Sequence, residues 1–204
     1  MGKQSLVLIG GGGHCHSCID VIEMQDAYHI AGILDNGKKV GDHVMGYPIL
    51  GQHSTAVIKS LMQKECHFLI TIGHIGEPQT RMNLYELLVQ CGARFASPIS
   101  PKAYISKHAK VGEGTIVMHD VLINAGAQVG DNCIINTKSL IEHDAQVGNH
   151  VHISTAAVIN GNVCVKDAVF FGSQATSKQS VTVPAGHFVK AGSIFKGCIN
   201  KETQ

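Results

Sequence analysis

One histidine of this sequence stands next to carboxylates in a way that suits general base catalysis. His143 lies in the polar run Glu142-His143-Asp144, and an imidazole with a pKa near neutrality can take a proton from an attacking group. A carboxylate bonded to the other ring nitrogen would fix the tautomer and raise the basicity, as in a catalytic triad. Successive strand residues point to opposite faces, so Asp144 can pair with His143 only where the chain turns, and Glu142 is the alternative partner. The plainer interpretation is a surface histidine, since the chain has 13.

A glycine loop near the N terminus is typical of an anion site. Gly10–Gly13 follow the apolar run Leu6–Ile9, and backbone N–H groups at the start of a following helix could approach a phosphate or a carboxylate. Cys15 occupies the last place of the Gly-x-Gly-x-x-Gly dinucleotide pattern, so NAD is not expected. Asp35 ends the next apolar run and could bind sugar or ribose hydroxyl groups. The alternative is that this loop is only a tight structural turn.

The segment His14-Cys15-x-x-Cys18 is similar to a metal or redox motif, but it lacks a second pair of ligands. Its apolar residues also recur at helical spacing. We therefore expect no bound metal. The seven cysteines are odd in number and scattered along the chain, which favours reduced thiols over a disulfide framework.

The composition excludes several classes of protein. Charged residues make up 15% of the chain and the net charge is +1, which argues against nucleic acid as a partner. No apolar run approaches the roughly 20 residues that cross a bilayer. The apolar stretch near the N terminus is too short for a signal peptide. We expect a cytoplasmic protein with neither a nucleic acid nor a membrane partner.

The first half of the chain alternates apolar runs with helical patterns, which indicates a small parallel α/β sheet. The predicted strands are Leu6–Ile9, Ile30–Leu34 and Phe68–Ile72, and the predicted helices are His14–Ala27, Thr55–Gln63 and Pro78–Cys91. Residues 1–98 are expected to form this domain, and residues 99–204 a second one.

The second half repeats with a period of six. Stepping by six from Ile105 to Phe195 gives 16 positions, and all but Ser177 are apolar. The residue two places earlier is small in nearly every case. This pattern predicts a solenoid in which each hexapeptide is a short strand and a corner, and three hexapeptides form one triangular coil. Glycines that directly follow the aliphatic position are expected to mark the bends. They stand at Gly112, Gly130, Gly148 and Gly172.

Both halves together resemble the NeuD/PglD family of bacterial sugar acyltransferases. The resemblance is carried by the motifs Leu8-Ile9-Gly10-Gly11-Gly12-Gly13-His14, Ile33-Leu34-Asp35-Asn36, Ile70-Thr71-Ile72-Gly73 and Ile135-Asn136-Thr137-Lys138-Ser139-Leu140-Ile141-Glu142-His143-Asp144. It implies a Rossmann-like α/β domain followed by an all-β left-handed parallel β-helix, a homotrimer, and acetyl-CoA as the co-substrate.

The resemblance also implies roles for single residues. His143 would be the general base and Asp144 its partner. The acceptor would be bound by a group from both domains: Gly12, Gly13, His14, Asp35, Asn36, Gly73 and Asn136. Asn136 could instead hold the thioester carbonyl. Coenzyme A would contact His152, which is expected to face the thioester from a neighbouring chain, together with Gly161, Ser173 and Ala191.

These features predict an acetyl-CoA-dependent acetyltransferase that acts on a sugar precursor of a bacterial surface glycan. O-acetylation of a sialic acid is slightly favoured, because Ser139-Leu140-Ile141-Glu142-His143 looks nearer to NeuD. The alternative is N-acetylation of a nucleotide-linked 4-amino sugar. Two other classes remain open, a non-catalytic trimeric scaffold and a zinc hydratase. Gly148 argues against the hydratase, because it stands where that class would carry a second ligand five residues after His143.

Overall fold

The computed structural model describes residues 2–197, and the first part of them forms an α/β domain. Its elements are β1 Gln4–Ile9, α1 Gly13–Gln25, β2 Tyr28–Leu34, β3 His43–Val44, β4 Tyr47–Gly51, α2 Thr55–Met62, β5 His67–Ile70, α3 Gln79–Cys91 and β6 Arg94–Phe95. All three predicted strands and all three predicted helices are present. The sequence did not predict β3, β4 or β6, because β3 and β6 are two residues long and Pro48 interrupts the pattern of β4.

The sheet has the order β3-β4-β2-β1-β5-β6, and every pair except β3–β4 is parallel. Alternate residues of β1 point to opposite faces, so one strand serves two layers. Leu6 and Leu8 pack in the cluster that contains α1, whereas Val7 and Ile9 pack with residues of α2 and α3. Helices therefore cover both faces, as the continuous apolar runs predict.

The remaining described residues form a β-helix of 16 two-residue strands. They are β7 Tyr104–Ile105, β8 Lys110–Val111, β9 Ile116–Val117, β10 Leu122–Ile123, β11 Gln128–Val129, β12 Ile134–Ile135, β13 Leu140–Ile141, β14 Gln146–Val147, β15 His152–Ile153, β16 Val158–Ile159, β17 Cys164–Val165, β18 Phe170–Phe171, β19 Thr176–Ser177, β20 Thr182–Val183, β21 Phe188–Val189 and β22 Ile194–Phe195. Every strand ends on a residue of the predicted period-six row.

Each strand pairs in parallel with the strand 18 residues away, as Ile123 pairs with Ile141 and Ile141 with Ile159. The second residue of each strand points inward, and these residues form the core. Ser177, the exception in the row, is buried as well, and its hydroxyl accepts the N–H of Asn160 at 2.9 Å. The strands thus form three parallel sheets, which confirms the predicted parallel β-helix.

The bends of the chain do not lie at the predicted glycines, which directly follow the aliphatic residue. The residue with positive φ stands three places after the inward residue, and at Asp144 φ is 59°. The predicted glycines are needed for another reason. A Cβ on Gly130 would lie 2.4 Å from Oδ1 of Asn149, which accepts the N–H of Asp131 from the coil before it. Glycine here makes room for a ladder of side-chain hydrogen bonds between coils.

The three faces of the prism differ in their outward side chains. The domain face (β9, β12, β15, β18 and β21) lies under the α/β domain, and its outward residues are buried as far as Phe170. The apolar face (β7, β10, β13, β16, β19 and β22) presents Tyr104, Leu122, Leu140, Val158, Thr176 and Ile194. The polar face (β8, β11, β14, β17 and β20) presents Lys110, Gln128, Gln146, Cys164 and Thr182.

The two parts share one continuous core. The linker between them adds a short parallel pairing of Ile99 with Val117. Within residues 2–197, none of the helices has the length and apolar character that crossing a bilayer needs. Nor do three or more His, Cys, Asp or Glu side chains of these residues gather as ligands of one metal ion would.

Candidate active site

His143 and Asp144 form a hydrogen-bonded pair at the corner between β13 and β14. The left-handed conformation of Asp144 turns its side chain back, so Oδ2 lies 3.0 Å from Nδ1 of His143. A carboxylate only accepts, so Nδ1 carries the hydrogen, and in the neutral ring the lone pair is on Nε2. The His143 side chain is 53% exposed, so this lone pair is within reach of a substrate. Glu142 does not compete for the ring, because its Oε2 accepts the backbone N–H of His143 and the amide of Asn124.

The imidazole of His143 lies on Gly161, its neighbour in the next coil. A Cβ at position 161 would lie 2.7 Å from Nε2 and 2.8 Å from Cε1 of that ring. Glycine at this position is therefore a condition for the observed position of the ring.

A second group of polar residues lies along the domain face. His152 is buried, and its Nδ1 lies 2.8 Å from the backbone carbonyl oxygen of His74. Its Nε2 lies 3.2 Å from Nδ2 of Asn136. Oδ1 of Asn136 accepts the backbone N–H of Thr137 at 2.8 Å.

Three histidines meet where the α/β domain covers the prism. The ring of His152 lies 5.4 Å from that of His74 and 6.5 Å from that of His14, measured between centroids. Burial lowers the pKa of His14 and of His74 to about 3, and the pKa of His152 to about 4. The positive charge of Arg81 adds to the lowering for all three. All three rings are therefore neutral at neutral pH.

Arg81 joins the two parts of the molecule from inside. Its Nη1 donates to the carbonyls of Ile70 and Ile72 at the end of β5, and its Nε donates to the carbonyl of Asn132 in the β-helix. The side chain is fully buried, and Nη2 has no hydrogen-bond acceptor among the described residues. Burial lowers the pKa of the guanidinium to about 10, so it keeps its charge. It holds the end of β5, from which Gly73 and His74 follow.

The glycine loop lies at the carboxyl end of the sheet, beside these histidines. Gly12 caps α1 without any side-chain hydrogen bond, and the first turn of the helix has no acidic residue. Free N–H groups and the helix dipole together favour an anion there. A Cβ on Gly73 would lie 3.5 Å from the side chain of His14, so two of the predicted acceptor residues adjoin.

Asp35 is held by this loop. Its two oxygens accept the N–H groups of Gly11 and Gly37, each at 2.7 Å. Burial alone would raise the pKa of Asp35, but these hydrogen bonds and the charge of Lys38 hold it below its ordinary value. Asn36 is exposed, and its Oδ1 accepts the N–H of His53. The Asp35 carboxylate therefore holds the glycine loop in place.

A serine–histidine–aspartate arrangement that was not predicted from the sequence lies elsewhere in the molecule. Nδ1 of His119 lies 2.6 Å from Oγ of Ser100, and Nε2 lies 2.7 Å from Oδ2 of Asp20. Ser100 is only 1% exposed, so no substrate can reach its hydroxyl. This arrangement fastens α1 to the first coil of the β-helix and is not a second catalytic centre.

The predicted residues fall on two opposite edges of the apolar face. His143, Asp144 and Gly161 stand at corners between the apolar and polar faces. Asn136, Ser173 and Ala191 stand at corners between the domain and apolar faces, and His152 lies on the domain face next to them. A single chain therefore does not bring His143 together with the predicted acceptor residues.

The polar face carries a groove of about 590 Å³ that no sequence motif indicated. Its lining includes the outward side chains of Gln128, Gln146 and Cys164. The predicted site residues do not line it, although it runs beside the edge that carries His143. The exposed His143–Asp144 pair at that edge is the candidate for the chemistry.

Comparison with known proteins shows what this chain is similar to. Residues 5–88 match the family described as PglD N-terminal domain. The acetyltransferase domain of PglB from Neisseria gonorrhoeae is 26% identical, with 98% of this chain and 94% of that chain covered and a TM-score of 0.86. PerB from Caulobacter crescentus, solved with CoA and GDP-perosamine, is 29% identical, with 97% and 90% covered and a TM-score of 0.86. No curated protein sequence matches this chain.

These matches confirm the resemblance of this chain to the NeuD/PglD family of sugar acetyltransferases. WeeI from Acinetobacter baumannii, at 20% identity and a TM-score of 0.74 over 94% of this chain and 96% of that chain, shares the fold. The resemblance and the fold class expected from the sequence are confirmed, while the roles of single residues stay predictions. His74 and Arg81 are the residues of this region that the sequence analysis missed. The one available signal was the place of His74 directly after the strand-end glycine.

Proposed function

We propose that this protein transfers the acetyl group of acetyl-CoA to an amino group of a nucleotide-linked sugar. Two similar proteins support the proposal: the PglB domain was solved with acetyl coenzyme A, and PerB with CoA and GDP-perosamine. The observation that carries it is the exposed His143–Asp144 pair. O-acetylation of a sialic acid is the second candidate. The segment Ser139-Leu140-Ile141-Glu142-His143 favours it, and it would use the same base.

The geometry of the pair suits this reaction. The amine nitrogen attacks the thioester carbonyl carbon, a C–N bond forms, and Nε2 of His143 takes the proton that the nitrogen loses. The C–S bond then breaks, and the sulfur of coenzyme A leaves with a proton returned from His143. Asp144 holds the Nδ1–H throughout and stabilises the charge on the ring.

The uncapped start of α1 suits the diphosphate of the acceptor. Gly12 and Gly13 leave open space around their Cα atoms, so an anion could approach the backbone closely. His14 follows directly, and its buried Nε2 has no hydrogen-bond partner among the described residues. Asp35 and Asn36 adjoin the loop and could bind hydroxyl groups of the ribose or the sugar. The acceptor therefore belongs at the end of the sheet.

The apolar face supports a homotrimer. It presents a continuous row of mostly apolar side chains, of which Tyr104 is 61% and Ile194 67% exposed. Such a contiguous patch marks an interface, and a repeat structure of this shape buries it most completely against copies of itself around a closed ring. Packing through this face brings one edge of a prism to the opposite edge of its neighbour. His143 of one chain would then meet Asn136, Ser173, Ala191 and the acceptor loop of the next.

Complementation between two inactive variants tests the shared site. His143→Ala removes the base, with an expected loss of about 10² to 10⁴ in kcat/KM. Gly12→Asp, which has open space in the structure, places a carboxylate where the phosphate would bind. In trimers assembled at random from both, each mixed ring has one intact site, so activity should return to about a quarter of the wild-type value. A mixture that stays inactive although mixed trimers form would contradict a shared site.

Two controls accompany this experiment. Leu122→Lys charges the apolar face and should give monomers, whereas Gln128→Lys, on the polar face of the same coil, should leave trimers in light scattering.

The acceptor class is tested separately. Free nucleoside diphosphates should compete with a nucleotide-linked sugar at millimolar concentration, and the absence of competition together with turnover of free sialic acid would favour O-acetylation.

A further inference from the structure

The two hydrogen bonds of His152 determine where its proton lies. A backbone carbonyl oxygen can only accept, so the contact of Nδ1 with the His74 carbonyl requires a hydrogen on Nδ1. The amide nitrogen of Asn136 can only donate, so the contact with Nε2 requires a lone pair there. Both conditions are met by one species, the neutral imidazole with its hydrogen on Nδ1. In this state His152 has no N–H left to offer a substrate.

The carboxamide of Asn136 is oriented just as completely. Its oxygen accepts the backbone N–H of Thr137, so Nδ2 is the end that faces His152. Nδ2 has two hydrogens, and only one is used by Nε2 of His152. The second has no acceptor among the described residues. Asn136 is half-buried and stands at the edge of the apolar face, so this hydrogen is accessible from the shared site.

We propose that Nδ2 of Asn136 is the donor that holds the thioester carbonyl oxygen, and that His152 is a positioning residue that aims it. The inference rests on the proposed acetyl transfer and reverses the role that the family resemblance implies for His152. When the amine attacks, the C=O π electrons move onto the carbonyl oxygen, and the free Nδ2–H of Asn136 stabilises that negative charge. The charge returns as the C–S bond breaks and the sulfur of coenzyme A leaves.

The alignment is carried from the α/β domain to the β-helix. Arg81 binds the carbonyls of Ile70 and Ile72, and the chain continues from there to the carbonyl of His74. That carbonyl sets the tautomer of His152, and the lone pair of His152 sets the amide of Asn136. Hydrogen bonds and the short segment from Ile72 to His74 thus connect the end of the sheet with the amide of Asn136.

Nuclear magnetic resonance tests the tautomer without any assay of activity. Long-range proton–nitrogen correlation spectra of the intact protein with ¹⁵N-labelled histidine distinguish Nδ1–H from Nε2–H rings, and His152→Gln identifies the signal. We expect a neutral Nδ1–H ring at pH 7 with and without coenzyme A. A ring protonated on Nε2 would overturn the proposal even if the protein is an active acetyltransferase. If the ring carries its hydrogen on Nδ1 but the protein transfers no acetyl group, the hydrogen bonding of His152 is as described and the proposed function is wrong.

Kinetics of matched variants test the division of roles. Asn136→Asp keeps the shape but removes both donors, so kcat should fall by about 10² to 10³ with little change in KM for acetyl-CoA. His152→Gln can still present an acceptor to Nδ2 of Asn136 and should keep most of kcat. His152→Asn is too short to reach Nδ2 and should lose about tenfold. Wild-type kcat in Asn136→Asp would show that Asn136 does not donate to the thioester carbonyl oxygen. Equal losses of kcat in the two His152 variants would show that His152 does not position Asn136.

Discussion

Gly161→Ala should reduce activity by displacing the His143 ring, although His143 itself is unchanged. The new Cβ would lie 2.7 Å from Nε2 of His143, and ordinary contact begins near 3.4 Å, so the ring must move by 3.4 − 2.7, or about 0.7 Å. The backbone of Gly161 is not in the left-handed region, so alanine fits it without strain. A displacement near 1 Å can reduce a rate by about 10². We therefore expect kcat to fall by about 10² in a steady-state assay of coenzyme A release.

The double variant Gly161→Ala/His143→Ala is the control. If residue 161 acts only through the ring, the second substitution should add nothing to the loss in His143→Ala, because neighbouring residues that act through one group are not additive. Thermal unfolding should show the Gly161→Ala protein folded. Wild-type turnover in Gly161→Ala, or a further large loss in the His143→Ala background, would refute the reasoning.

Three further predictions concern the stability of the fold. Because the folded pKa values of His14, His74 and His152 lie at about 3 to 4, below the ordinary 6.5, the unfolded chain takes up protons first as pH falls. Stability should therefore drop from pH 6.5 towards pH 4, by at most about 1.4 kcal/mol per pH unit for each ring. Urea unfolding should show this, with a shallower dependence in His74→Leu; a flat profile would contradict it. Gly130→Ala should lower the unfolding free energy by about 1–3 kcal/mol, since its Cβ meets Asn149 and the Gly148 backbone, and the exposed Gly12→Ala should not. His119→Ala should lower it by about 1 kcal/mol while kcat stays at the wild-type value, because the bonds to Ser100 and Asp20 only fasten α1. Loss of kcat in a folded His119→Ala protein would give this histidine a catalytic role.

The β-helix was predictable because every hexapeptide meets the same local requirement. An inward aliphatic residue recurs at each sixth position, and 16 strands end on that row from Ile105 to Phe195. The alternation of the first half was predictable for a similar reason, since β1, β2 and β5 are apolar runs that lie inside the sheet. Strands such as β3 and β6, at two residues each, carry too few side chains to leave a pattern.

The candidate site was predictable only in part, because its geometry depends on backbone turns and on contacts between domains. His143 was identified by resemblance, but its pairing with Asp144 needs a left-handed φ that no residue type there demands. The contact of His152 with the carbonyl of His74 joins residues 78 positions apart. No local pattern encodes such a contact, since it follows from how the sheet covers the prism.

The coil of the β-helix has two different periods, and they constrain changes of chain length differently. The interior repeats every six residues, whereas each face recurs only after 18. Removal of six residues before His143 would leave every aliphatic side chain inside, yet it would turn all later corners by one third of a rotation. His143 would then emerge on the edge where Asn136 now stands, so the proposed shared site would be lost. An insertion or deletion of six residues therefore preserves the core of the β-helix. Only a change of 18 residues, one whole coil, also returns each surface residue to its own face or edge.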